Sequence, residues 1–466
     1  MIDILSFNNF YLVGIKGVAM TSMAQILIDA NKNVTGSDVK EEFVTQEILD
    51  RLQVKIDLSF ENSLPSDTDC VIYTAAHQAL ENPQVKQALN KKIPVVSQAE
   101  AVASLFNQQS GIAVCGVGGK STVSAMISWV LNELKPNLSF SVGVGNIPGI
   151  NKTGQWSPKA KYFVIEADEY VINPKIKNDE KIIPRFSFLK PEITVCTNLK
   201  FDHPDVYKNF EHTKQIYNDF FAQIKPSGKL IINHHDLRYV DDLSIPKLTF
   251  GENPQATLSL KSYHSQLGQT LSEFSYQAQT YNLKLQLPGK YNVINALATI
   301  LTLIQLDIDP QRAADSLSTF ASTKRRFEFI GKKDQIDYYD DYAHHPHEIK
   351  AAIAALKDWY PQQRKIIAFQ SHTYSRTKKL FNDFVDSFSE ADEVVMIDIF
   401  SSAREKVDLS VSSDKLCDAI NQKYHLPAQN LKNLANLAKY CQTELKPGDV
   451  LITLGAGDIY QVHDLI

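Results

Sequence analysis

The chain has 466 residues, of which 22% are charged and 44% hydrophobic, and its formal net charge is -5. That length accommodates about three domains of ordinary size, and the acidic balance excludes the basic footprint of a nucleic-acid-binding surface. No stretch reaches the ~18 apolar residues of a membrane span, so a cytoplasmic globular protein with neither nucleic acid nor membrane among its partners is expected.

Residues 1–107 read as a Rossmann-like unit. The first ten carry no basic start, as a targeting segment would. Phe10 to Gly14 is an apolar strand that empties into the loop Gly14, Ile15, Lys16, Gly17, Val18, Ala19, Met20. Met20, Met23, Leu27 and Ala30 then recur at helical spacing. A second strand, Asn33 to Asp38, sets an acid about twenty residues after the loop, the place of a ribose ligand in dinucleotide-binding units. Lys16 interrupts the Gly-x-Gly pattern, so a mononucleotide diphosphate fits as well as a dinucleotide. Asp38 reads equally as a capping acid. Cys70 to Thr74 and Ile93 to Ser97 continue a parallel α/β pattern.

Residues 108–323 centre on a P-loop-type strand, glycine loop and helix. Ile112 and Val114 precede Gly116, Val117, Gly118 and Gly119, and Lys120, Ser121 and Thr122 open an apolar-periodic helix. Small loop residues let backbone N–H groups approach a phosphate, the helix start favours an anion, a lysine reaches terminal phosphates and a hydroxyl can ligate Mg2+. Position 114 is Val where the general loop has its first glycine. Two more hydrophobic strands follow, Tyr162 to Glu169 with three terminal carboxylates and Ile193 to Leu199 leading into Lys200-Phe-Asp-His203. Glu166 and His203 thus stand where open α/β sheets bind ligands, with an oxygen and a nitrogen donor for a divalent metal. Alternation over 258–263, 270–276 and 281–287 reads as antiparallel ribbons, and Pro288-Gly289 introduces a helix with Asn292 and Asn295 on one face.

Residues 324–466 read as a second Rossmann-like unit. They open on Lys324-Arg325-Arg326, followed by a strand from Gln335 that ends in Asp341, His344 and His345. A further strand from Ile366 empties into a loop with His372 and Arg376, the latter suited to a carboxylate, and a helix is expected over Lys378 to Phe388. Strands at 393–399 and 449–458 complete the pattern. The five cysteines are scattered and never spaced Cys-x-x-Cys, so they read as buried thiols.

Gly116-Val-Gly-Gly-Lys-Ser-Thr122, Glu166-Ala-Asp-Glu169, Asn198 to His203 and Gly289 to Asn295 together resemble the Mur ligase family, the ATP-dependent amide-forming enzymes of peptidoglycan precursor synthesis. The resemblance runs through all three units. It implies that residues 116–122 with Asn292 and Asn295 bind ATP, that Lys120 contacts its phosphates, and that Ser121, Glu166 and His203 hold Mg2+. Arg326 and Asp341 are implied to reach ATP from the third unit, which makes Lys120, Glu166, His203 and Arg326 the catalytic set. The UDP-sugar is assigned to residues 14–20 with Asp38. Asp341-Tyr-Ala-His-His-Pro346, His372-x-Tyr-Ser-Arg-Thr377 and Leu454-Gly-Ala-Gly-Asp458 are most similar to members that join L-alanine to UDP-N-acetylmuramate, with His345, His372 and Arg376 facing the amino acid. Gly118, Tyr291 and Thr373 depart from common family residues, His at the first two and a basic residue at the third. Residues 170–191, with the charged run Lys175 to Lys181, are longer than such members usually have, Glu166-Ala-Asp-Glu-Tyr170 with Phe201-Asp-His203 also suits members that recycle a murein tripeptide, and a catalytically silent nucleotide-binding scaffold is a third reading. Lys214 stands near a lysine that some relatives carbamoylate, though an ordinary helix-surface lysine is expected. Monomer and homodimer are both compatible with the sequence.

Overall fold

A computed structural model describes every residue except 1, 136, 174–181, 204–205 and 402–406. The charged run 175–181 therefore lies outside the described residues.

The first sheet has five parallel strands in the order Lys55–Asp57, Asn33–Ser37, Asn9–Val13, Cys70–Tyr73, Val95–Ser97. The order reverses at Asn9–Val13, so the loop after that strand opens at a topological switch point. Gly14 turns there with φ of +83°, and a Cβ would come within 2.6 Å of Thr74 Cγ2. The helix Val18–Asp29 follows.

The middle sheet has ten strands. Its strand Ser110–Cys115 lies between Ile193–Cys196 and Tyr162–Glu166, parallel to both. The glycine loop, the three carboxylates and the segment leading to His203 therefore leave one edge of the sheet side by side. The helices Lys120–Leu134 and Lys290–Ile304 share a buried apolar core with this sheet. The expected ribbons are Leu258–Gln266, Gln269–Tyr276 and Gln279–Leu285, paired antiparallel.

The third sheet runs Glu328–Lys333, Ile336–Asp341, Val450–Leu454, Lys365–Phe369, Glu393–Met396, Ala428–Asn430. Its first pair is antiparallel and the rest are parallel. One sequence expectation changes here. The helix foreseen over 378–388 is two, Tyr374–Lys379 and Phe381–Ser387, interrupted at Leu380 with φ -108° and ψ 23°. Arg376 is thus helical and points from a buried turn rather than from an open loop.

The first and middle units are joined by polar contacts along Val18–Asp29. Ser22 and Ser141 hydroxyls meet at 2.8 Å, Gln25 Oε1 accepts from Thr153 and Gly154 N–H, and Lys152 pairs with Asp29 at 2.9 Å. All five cysteines are buried and free. Among the described residues no helix is long and apolar enough to cross a membrane.

Candidate active site

The glycine loop is shaped by positions that exclude any larger residue. Gly116 has φ +121° and a Cβ there would lie 2.2 Å from Thr197 Oγ1, while Gly119 has φ +83° with Asn295 Oδ1 2.5 Å from the same point. Thr197 and Asn198, at the end of the neighbouring strand, fasten the loop by donating to the Gly118 carbonyl at 2.5 and 2.9 Å. Gly118 itself is open, with its nearest prospective contact Glu348 Oε1 at 3.4 Å.

Lys120, first residue of its helix, donates to both oxygens of Glu169 at 3.0 and 2.9 Å. Burial pulls its pKa down, but Glu169, Asp168 and Glu166 outweigh that and hold it above the ordinary lysine value. Glu166 accepts from Gly143 N–H at 2.8 Å, and burial pushes its carboxyl upward against the pull of Lys120 and Arg326. Asp168 pairs with Arg185 at 2.7 Å. His203, at φ +54°, sets Nε2 3.5 Å from Glu169 and 3.7 Å from Asp202. Burial opposes its protonation, and Asp202 with Glu169 outweighs that to raise its pKa.

Asp168, Glu169 and His203 each present a ligand atom, all within 4.8 Å of one another. Two carboxylates and an imidazole are a donor set that suits a divalent cation. This group differs from the expected set: it shares His203, whereas Glu166 is engaged with Gly143 N–H and Ser121 with Arg326.

A cleft of about 620 Å³ lies between the middle and third units. Gly118, Gly119, Thr122, Asn292, Asn295, Arg326 and Asp341 all line it, and Gly116, Val117, Lys120 and Ser121 belong to the same loop and helix start. Arg326 Nη2 reaches Ser121 Oγ at 2.9 Å, with its guanidinium 5.0 Å from the Tyr342 ring centroid. Its neighbour Arg325 is buried instead, bonded to Asp340 at 3.0 Å and to the Gly455 and Gly457 carbonyls. Asp341 accepts from Phe327 and Ala343 N–H, and burial pushes its carboxyl up to about 6. Tyr291 is part of the same lining.

Among the other third-unit residues expected at the site, Arg376 Nη2 donates to Asp202 Oδ1 at 2.9 Å, with both side chains buried. Burial would raise the Asp202 carboxyl, but His203 and Arg376 hold it far below the usual carboxylate range. His345 caps the helix Pro346–Trp359 in a reciprocal box with Glu348. His344 lies between, its pKa lowered to about 4 by burial and by Arg376. His372 stacks on Phe400 with centroids 5.5 Å apart and lies 6.3 Å from His344.

In the first unit the loop Gly14 to Met20 is held from inside. Asp38, 1% exposed, accepts from Lys16 N–H at 2.7 Å and Val39 N–H at 2.8 Å, and His77 Nε2 is 3.4 Å away. The Lys16 ammonium is spent on the Val39 and Glu41 carbonyls. Asp38 in this conformation supports the loop rather than standing open to a ribose. Ala19 of the loop lines a smaller cavity, about 90 Å³, together with Glu166, Asp168 and Arg185. Ile15, Gly17 and Val18 complete the turn into the helix.

Sequence reasoning passed over Glu169, Asp202, Arg185 and Glu348 as partners. A cluster of acids at a strand end next to a loop lysine is a signal for the first, and nothing local in the sequence announces the others. Lys214 is a partly exposed helix residue paired with Glu211 at 3.6 Å.

Three family descriptions match the chain in succession: Mur ligase family, catalytic domain, over residues 9–110; Mur ligase middle domain over 114–303; and Mur ligase, glutamate ligase domain, over 325–457. UDP-N-acetylmuramate--L-alanine ligase from Desulfitobacterium hafniense is 34% identical over 461 residues, covering 97% of this chain and 98% of that protein. The protein of the same name from Clostridium novyi is 35% identical over 472 residues, covering 99% and 98%. Among solved structures, the UDP-N-acetylmuramate-alanine ligase of Thermotoga maritima superposes with a TM-score of 0.80 at 23% identity over 98% of each chain. A murein peptide ligase from Psychrobacter arcticus gives 0.71 at 21% identity, again over 98% of each. With a glycine loop and a third-unit arginine gathered at one cleft, and with matches that run the length of the sequence, the chain belongs to the Mur ligase family.

Proposed function

We propose that this Mur ligase joins L-alanine to UDP-N-acetylmuramate, forming an amide as ATP is converted to ADP and phosphate. The observation that carries the reading is Arg326: it reaches from the third unit to the hydroxyl beside Lys120, on the wall of a cleft lined by the expected nucleotide ligands. Full-length likeness to relatives named for the alanine reaction supports the choice of substrates.

In this reading the units 1–107, 108–323 and 324–466 take the UDP-sugar, ATP and the amino acid in turn. The lactoyl carboxylate attacks the γ-phosphorus, ADP departs, and the alanine amine displaces phosphate from the acyl phosphate. Loop amides 116–119, Lys120 and Arg326 stabilise the charge that spreads over the transferring group, the usual source of catalysis in phosphoryl transfer. Thr122 and the helix start complete the phosphate cradle, while Asn292, Asn295 and Asp341 orient the nucleoside. His203 with Asp168 and Glu169 would hold Mg2+, which would supply further charge neutralisation on the phosphates. Gly14 to Met20 hold the UDP moiety, with Asp38 keeping the loop in shape. His345, His372 and Arg376 receive the amino acid, Arg376 meeting its carboxylate.

The test is phosphate release from ATP with UDP-N-acetylmuramate and a panel of free amino acids and one murein tripeptide. Release that needs both UDP-N-acetylmuramate and L-alanine is expected. Release with the tripeptide alone would move the protein to the recycling reaction, and no release with any acceptor would leave a nucleotide-binding scaffold.

A further inference from the structure

The mechanism uses Lys120 but leaves open why a buried carboxylate occupies it. Glu169 meets the ammonium with both oxygens, at 2.9 and 3.0 Å, and its side chain is 2% exposed. Glu169 is itself fixed: the Tyr207 hydroxyl donates to its carbonyl, and His203 Nε2 lies 3.5 Å from its carboxylate. One side chain therefore meets the loop lysine and lies beside the histidine of the candidate metal-ligand cluster.

We infer that Glu169 is a positioning residue, which anchors Lys120 beside the phosphate loop at the expense of ground-state nucleotide affinity. The inference rests on the ATP-dependent reading above. A lysine on four flexible carbons contributes to a transition state only if its ammonium is already in place. A bidentate carboxylate supplies that order. It also cancels one positive charge next to the loop, which an incoming polyphosphate would otherwise meet in full. An ammonium has three donors, so Lys120 can keep one bond to Glu169 while another reaches phosphate.

The experiment is a double-mutant cycle on the full chain, with ADP titrated calorimetrically in EDTA against wild type, Glu169→Gln, Lys120→Met and the double variant. Glu169→Gln is expected to bind metal-free ADP about 3- to 10-fold more tightly, because the freed charge acts within one or two side-chain lengths. In the Lys120→Met background the same change should have no effect. Phosphate release by Glu169→Gln should fall at least about tenfold in kcat, giving tighter binding with slower turnover. Unchanged ADP affinity, tightening that persists without Lys120, or an unchanged kcat would each overturn the inference. So would a loss of affinity seen only with Mg2+, which would assign the carboxylate to the metal. Should Glu169→Gln fail to fold, Glu169→Asp keeps the charge and withdraws it by one methylene: slower turnover at unaltered ADP affinity is expected, and wild-type turnover would refute the role. A wild-type protein that binds ADP yet never releases phosphate refutes the ligase reading instead, and the binding cycle still decides the fate of Glu169.

Discussion

The guanidinium of Arg326 donates to the hydroxyl of Ser121 at 2.9 Å, across 205 positions of sequence. A residue at the start of the third unit thereby touches the helix that begins at the phosphate loop. The two ends of the contact belong to different units, so it ties the third unit to the wall of the cleft.

The adjacent arginines should fail in different ways. Arg326→Ala is expected to lower kcat by on the order of 10² to 10³, as removal of one preorganised donor does, with little change in melting temperature. Arg325 is buried against Asp340 and two carbonyls. Its replacement by Ala leaves Asp340 uncompensated and should cost about 3–5 kcal/mol of stability. Urea unfolding and phosphate-release kinetics on the two variants separate the roles.

Lys120→Ala should abolish phosphate release while UDP-N-acetylmuramate still binds, because residues 14–20 lie on a separate sheet. Calorimetry with the UDP-sugar checks the second half. Parallel loss of sugar binding would mean that the two ligands share a site.

Asp202 and Arg376 form a buried pair between the middle and third units. Asp202→Ala removes the carboxylate that meets the buried Arg376 guanidinium and should cost about 3–5 kcal/mol. The double variant Asp202→Ala, Arg376→Ala should lose less than the two single losses combined, since the interaction between the two side chains is lost once rather than twice. Chemical denaturation of the four proteins measures this.

Asp341 gives the pH dependence a definite sign. Burial raises its folded pKa to about 6 from 3.8. The proton is bound more tightly by the folded state, so the stability this group contributes is complete at low pH and is lost as pH rises through about 6. Relative to Asp341→Asn, the wild type should therefore lose up to about 3 kcal/mol between pH 4 and 7. Wild-type stability that rises with pH relative to Asp341→Asn would contradict the assignment.

Local chemistry made much of this readable beforehand. Glycines at 116 and 119 adopt positive φ, and apolar runs such as Ile193 to Cys196 pair as buried parallel strands. Partnerships between elements far apart in sequence were not readable, because Lys120 with Glu169 or Asp202 with Arg376 depend on how those elements pack. Two arginines in a row look alike in sequence, yet a strained turn with φ +62° at Arg325 sends one inward and the other across the cleft. Asp38 stands at the position of a ribose ligand, and only tertiary structure shows it turned onto the amide of Lys16. The break at Leu380 likewise has no glycine or proline to mark it.

The chemistry is tested most directly by isotope transfer. UDP-N-acetylmuramate carrying 18O in its lactoyl carboxylate, turned over with ATP and L-alanine, should yield phosphate bearing one labelled oxygen, the atom that attacked the γ-phosphorus and left when the amine displaced it. Unlabelled phosphate formed alongside the amide would contradict activation of the carboxylate at this cleft.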